Sequence, residues 1–110
     1  MRYLVTGSSG FLGRHLARRL VFAGHDVGMY DLVEGDDVLD YTRLLRRIED
    51  LQPDVILHLA ADAVVWNAAA HAIKAYTLAA VGTANVLEAA RVTGVEQVVL
   101  ASSHHAYAEP

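Results

Sequence analysis

The sequence predicts a three-layer α/β fold in which four parallel strands lie in the order 2-1-3-4 with helices on both faces. Three observations carry that expectation. Apolar runs of strand length alternate with amphipathic stretches of helix length from Tyr3 to Ala101, and such alternation implies a parallel sheet with right-handed crossovers. The junction of the first run with the first amphipathic stretch is glycine-rich, Thr6-Gly7-Ser8-Ser9-Gly10-Phe11-Leu12-Gly13. Apolar residues make up 54% of the 110 residues against 20% charged, an excess that suggests strands covered on both faces.

The first strand centres on Tyr3-Leu4-Val5. The loop after it is built to hold a phosphate: Gly7 takes the sharp turn out of the strand, Gly10 lets a ligand approach where a Cβ would collide, and Gly13 lets the helix pack closely on the sheet. Free N–H groups at the helix start then face a pyrophosphate, and the helix dipole adds about 0.3–1 kcal/mol of attraction at an exposed site. That helix should run from Phe11 to Phe22, with Leu12, Leu16, Leu20 and Val21 on one side and Arg14, Arg18 and Arg19 on the other, and Gly24 should stop it. The second strand, Asp26 to Leu32, places Asp31 at the carboxyl edge of the sheet, about 20 residues past the glycine loop. A dinucleotide fold keeps there the acid that accepts hydrogen bonds from the adenosine ribose. No Arg or Lys occurs from Asp26 to Thr42 to meet a 2′-phosphate, so the expected cofactor is NAD rather than NADP.

Val33 to Leu39 reads as an acidic loop with a short extended piece, since a parallel neighbour would need a crossover of a dozen or more residues. Asp40 caps a helix from Tyr41 to Leu51 whose apolar stripe is Tyr41, Leu44, Leu45, Ile48 and Leu51, with Arg43, Arg46 and Arg47 solvated on the far side. Gln52-Pro53-Asp54 ends it, and Val55 to Leu59 forms a buried strand in which His58 is a hydrogen-bonded structural residue. Asp62 to Asn67 reads as loop or a first helical turn. A long helix follows from Ala70 to Thr93, kinked near Gly82-Thr83 and capped by Gly94. Glu96 to Ala101 is the last strand, an apolar sheet edge that invites pairing with another chain or with further sequence. Ligands bind at the switch point between strands 1 and 3.

A net charge of −4 with scattered basic residues gives no footprint for nucleic acid. There is no cysteine, hence no disulfide or thiolate metal site, which fits a reducing compartment. Neither a leader peptide nor an apolar run of membrane-spanning length is visible, so the expected location is the cytoplasm, away from membranes. His104 and His105 are adjacent and lack carboxylate or third-His partners at ligand spacing, so no metal site is expected.

Taken together, the residues resemble the N-terminal half of an extended short-chain dehydrogenase/reductase, the group of NAD-dependent nucleotide-sugar epimerases and dehydratases with a Rossmann-like fold. The resemblance rests on Thr6 to Gly13, Asp31, Asp37-Val38, His58-Leu59-Ala60-Ala61, Gly82-Thr83-Ala84-Asn85-Val86-Leu87-Glu88-Ala89-Ala90, and the Ser102-Ser103 pair shortly before Tyr107. It implies that Gly7, Gly10, Phe11, Leu12 and Gly13 line the pyrophosphate and Asp31 the adenosine ribose. Asp37 and Val38 would flank adenine, Leu59, Ala60 and Ala61 the nicotinamide side, and Ser102 would join the cofactor contacts. Ser103 falls where the family keeps a catalytic hydroxyl that polarises the substrate oxygen beside a Tyr-x-x-x-Lys pair. That pair is absent: Lys74 is the only lysine and Ala70 stands four residues before it. Ala79 stands where the family places an Asn.

The whole chain, residues 1–110, is therefore expected to be a partial NAD-binding domain, catalytically incomplete alone. It would serve an oxidoreductase, epimerase or dehydratase acting on a nucleotide sugar or sugar acid, completed by a C-terminal half or a homo-oligomer. The alternatives are a stand-alone NAD-binding or sensing module and a non-catalytic half-fold that associates through its edge strand.

Overall fold

A computed structural model describes residues 1–60 and 72–101 of the chain. Strands β1 (Arg2–Thr6), β2 (Asp26–Tyr30), β3 (Val55–His58) and β4 (Gln97–Leu100) form a parallel sheet in the order β2-β1-β3-β4, as the alternation of elements predicts. Leu4 pairs with Gly28 on one side and Ile56 on the other, and Ile56 pairs with Val98. Because side chains alternate along a strand, this row of four occupies one face. A Cβ on Gly28 would run into Leu51 of the helix Tyr41–Leu51, which identifies that face as the one this helix covers.

Helix α1 (Phe11–Phe22) packs on β1 and β2, whereas α2 (Tyr41–Leu51) and α4 (Thr83–Thr93) pack on each other and cover the opposite face. Helix α3 (Ala72–Thr77) passes into α4 through a π-helical turn at Leu78–Gly82. The kink expected at Gly82-Thr83 is thus a widened turn that ends at Gly82, rather than a bend at the pair itself. Gly82 is buried there, and a Cβ on it would sit 2.9 Å from Val38 Cγ2.

The core lies between the sheet and α2/α4: Leu4, Leu44, Ile48, Ile56, Val86 and Ala89 are buried. The α2 stripe is borne out, with Tyr41, Leu45 and Leu51 packed at its margin. The α1 expectation needs correction. Its buried positions are Gly13 and Ala17, while Leu16 and Leu20 are half-buried and Leu12 and Val21 exposed; small residues let this helix sit close to the strands, and the larger apolar ones flank the contact. The expected burial of strands on both faces holds for β1 and β3 but not for β4, none of whose residues is buried.

Strand β2 ends at Tyr30, before the expected Leu32. Asp31 leaves the ladder to cap a 3₁₀ turn, Leu32–Glu34, so the stretch before α2 is a turn and loop without an extended piece. No helix among the described residues is long and apolar enough to cross a membrane.

Candidate functional site

The loop from β1 to α1 closes at the carboxyl end of the sheet. Gly7 has φ +67°, and a Cβ there would lie 2.9 Å from Leu59 O and Ala60 N, so this glycine is what lets the loop press against the end of β3. Gly13 is required by a different contact: a Cβ would run into the Gly7 carbonyl. Gly10 is the exception. Only Gly7 O, at 3.3 Å, lies within 4 Å of a Cβ placed on it, so the space above Gly10 is left open by the described residues.

Gly10 is also the N-cap of α1, and no side chain caps that end. Arg14 N is the first amide to bond back into the helix, on Gly10 O at 2.9 Å. The N–H groups of Phe11, Leu12 and Gly13 precede it and have no carbonyl one turn back. With Gly10 bare, they form an open anion-binding cradle. The Phe11 and Leu12 side chains are exposed beside it.

Asp31 shares the lip of this cradle. The residue is 8% exposed, and its carboxylate accepts two main-chain hydrogen bonds, from Ser9 N at 2.8 Å and Val33 N at 2.9 Å. The acid therefore ties the glycine loop to the turn after β2. A carboxylate offers about four lone-pair sites, so two remain for ribose hydroxyls. These features fit an adenosine diphosphate moiety: amides for the phosphates, a carboxylate for the sugar, and no Cβ over the loop.

Asp37 and Val38 lie on the next stretch. Val38 is buried in the core against Gly82, so its side chain belongs to the fold, and only its main chain is placed to meet a base. Asp37 Oδ1 accepts from Leu39 N at 2.9 Å. Three residues that sequence reasoning leaves without a role at the site fix this stretch. Tyr30 donates its hydroxyl to Asp37 O at 2.9 Å, Asn85 Nδ2 donates to Val38 O at 2.9 Å, and Arg43 Nε donates to Asp36 Oδ1 at 2.8 Å. Arg43 is thus a loop anchor rather than merely solvated. Burial first, then the nearby Asp36 and Asp40 carboxylates, push the Tyr30 phenol up to about 12, so it remains a donor at any neutral pH. Asn85 stands inside the Gly82-Thr83-Ala84-Asn85 motif, which is the available signal; Tyr30 and Arg43 leave none.

The floor of the crevice is a buried polar knot that the sequence does not announce. Thr6 Oγ1 accepts from Leu59 N at 3.0 Å and Ala60 N at 3.1 Å, which uses both its lone pairs. Its own proton must then go to His58 Nδ1, 2.7 Å away. That count assigns His58 as neutral, with its remaining proton on Nε2, in keeping with a pKa lowered by burial. The structural reading of His58 holds, and the knot explains how Leu59 and Ala60 come to lie beside Gly7. Ala61, Ser102, Ser103, Tyr107 and the His104-His105 pair lie outside the described residues. Among the described residues no three His, Cys, Asp or Glu side chains gather as a metal site.

The structure therefore brings together Gly7, Gly10, Phe11, Leu12, Gly13 and Asp31, with Leu59 and Ala60 alongside, while Val38 turns its side chain away. Known proteins share this fold. The chain is 36% identical over 121 residues to a UDP-glucose 4-epimerase of Mycolicibacterium smegmatis, covering 94% of this chain and 39% of that protein. It is 35% identical to a probable UDP-glucuronate 4-epimerase of Rhizobium meliloti, with coverages of 97% and 38%. The crystal structure of UDP-glucose 4-epimerase from Brucella ovis in complex with NAD superposes with a TM-score of 0.90 at 32% identity, over 99% of this chain and 38% of that one. The chain thus spans about two fifths of the length of each of these two curated relatives. With residues 3–110 matching the family model, the chain belongs to the NAD dependent epimerase/dehydratase family.

Proposed function

We propose that this chain is the NAD-binding portion of a nucleotide-sugar epimerase, dehydratase or related oxidoreductase. The observation that carries the reading is the Asp31 to Ser9 N bond, 2.8 Å long, which sets a ribose-binding carboxylate on the rim of an uncapped helix N-terminus. The Phe11, Leu12 and Gly13 amides hold the pyrophosphate across bare Gly10. Asp31 accepts from the adenosine ribose and disfavours a 2′-phosphate by like charge, which selects NAD over NADP. The Asp37-Val38 main chain borders the adenine. Leu59, Ala60, Ala61 and Ser102 border the nicotinamide end, where NAD supplies the hydride acceptor. Ser103 polarises the substrate oxygen, a nucleotide sugar or sugar acid, in the complete protein. A Tyr-x-x-x-Lys pair for proton exchange is not among these 110 residues, so turnover belongs to the protein completed by further sequence, joined through the β4 edge where Val99 and Leu100 are exposed.

Calorimetric titration of NAD tests this reading. Asp31→Ala should weaken binding by about 1–3 kcal/mol through loss of a charged acceptor, whereas Asp31→Asn, which keeps one acceptor for Ser9 N, should lose less and narrow the preference over NADP. Wild-type binding left unchanged by Asp31→Ala would overturn the ribose assignment.

A further inference from the structure

The described sheet has a bare edge at β2, which pairs with β1 alone. Asp26 N bonds to Met1 O at 3.2 Å and Tyr30 O accepts from Gly7 N at 2.9 Å. Since main-chain groups in a parallel strand alternate sides from one residue to the next, Asp26, Gly28 and Tyr30 face β1. Val27 and Met29 aim their N–H and C=O groups outward.

Two surfaces flank that edge. On the α1 side, Ala17, Val21, Phe22 and Met29 line a groove of about 640 Å³ with Arg14 and Arg18 at its rim. Phe22 is 95% exposed and, with exposed Val21 and Met29 along the same groove, makes a contiguous apolar patch. Beyond the carboxyl end of β2, Leu32 and Val33 are exposed on the 3₁₀ turn held by Asp31, followed by acidic Glu34. One surface is an apolar groove with a basic rim, and the other an apolar knob with an acidic flank.

We propose that two copies of this chain associate through their β2 edges, antiparallel, about a twofold axis at Gly28. In that register Val27 of each copy faces Met29 of the other as a hydrogen-bonded pair, so the outward N–H and C=O groups of both residues find partners in both copies. Helix α1 returns from the end of β1 to the start of β2, so its last turn lies at the amino end of β2. An antiparallel twofold brings the carboxyl end of the second copy's β2 to the same place. The second copy's Leu32 and Val33 then fill the groove at Val21 and Phe22, its Glu34 faces Arg18, and symmetry repeats each contact. Shifting the axis to Val27 or Met29 halves the number of main-chain bonds and moves the knob off the groove. The two four-stranded sheets become one, and the glycine-loop cradles stay open at the carboxyl ends.

Sedimentation of the 110-residue chain should show a concentration-dependent dimer. Arg18→Glu should weaken it about tenfold, since symmetry doubles the effect of each surface ion pair. Adding Glu34→Arg to Arg18→Glu should restore it, and Phe22→Asp should abolish it; all three sites are exposed, so circular dichroism of each variant should match wild type. Hydrogen exchange should show Val27 and Met29 amides protected only in the dimer. A monomer at all concentrations, a dimer indifferent to Phe22→Asp, or protection along β4 with none at Val27 and Met29 would each overturn the proposal.

Discussion

The two faces of the sheet are built to different standards. Toward α2 and α4, Leu4, Ile56, Leu44, Ile48, Val86 and Ala89 are sealed at 0–1% exposure. Toward α1, Val5 and Val55 are buried, yet Met29 is 50% and Val99 42% exposed, and Val21 and Phe22 lie open on the helix itself. The difference teaches that burial is concentrated on one side of the sheet. The sealed face holds the sheet together and carries the supports of the Asp36-Asp37-Val38 stretch, Tyr30, Arg43 and Asn85. The open face buries Val5, Ala17 and Val55 but leaves Val21, Phe22 and Met29 uncovered.

The sharpest way to break this comparison is truncation on both sides. Leu44→Ala should cost about 2–5 kcal/mol in denaturant unfolding, the range for a fully buried leucine, while Phe22→Ala should stay within about 0.5 kcal/mol in the monomer because its ring is open to solvent. Equal losses would mean the open face is packed in solution.

A smaller effect should come from the polar knot where β1 meets β3. Thr6→Val should cost about 1–3 kcal/mol, since Ala60 N and His58 Nδ1 lose their partner and Leu59 N keeps only Thr6 O, at 3.2 Å, while the volume is kept. NAD affinity should fall with it if Gly7 depends on that floor. Retained stability with retained affinity would remove the knot from the account of the site.

The smallest effect is in pH dependence. Burial lowers the pKa of folded His58, so above the unfolded value near 6.5 both states are neutral and nothing changes. Below it the unfolded chain takes up a proton that the folded chain refuses, and stability falls as pH drops from about 7 to about 5. His58→Asn, whose amide oxygen can still accept from Thr6, should show a shallower acid slope. An unchanged slope would mean that His58 titrates alike in both states. Tyr30 acts in the other direction: with its pKa raised to about 12, folding loses support only as pH climbs through 10 toward 12.

Much of this is legible in order along the chain because it is local. Helix α1 keeps its expected bounds, Phe11–Phe22, and α2 its bounds, Tyr41–Leu51. Asp40 caps α2 through Arg43 N at 3.1 Å, and the glycine spacing announces both the turn and the bare helix start. The misreadings fall where a residue's neighbour is distant. Apolar patterning makes β2 two residues too long because Asp31 is drawn away by Ser9, 22 positions earlier. Periodicity also misplaces the α1 contact, since burial there depends on which residues let the helix approach the sheet.

The sequence by itself determined the strand and helix order, the parallel sheet it implies, the glycine cradle, and the family, since spacing, caps and apolar period act over a few residues. Only the tertiary structure decided that Asp31 holds the loop as well as facing the site, that Val38 belongs to the core, and that Thr6 orders His58, Leu59 and Ala60 across 52 to 54 positions. Those outcomes rest on hydrogen-bond capacity being filled in three dimensions, and a one-dimensional pattern does not say which donors will arrive at one oxygen.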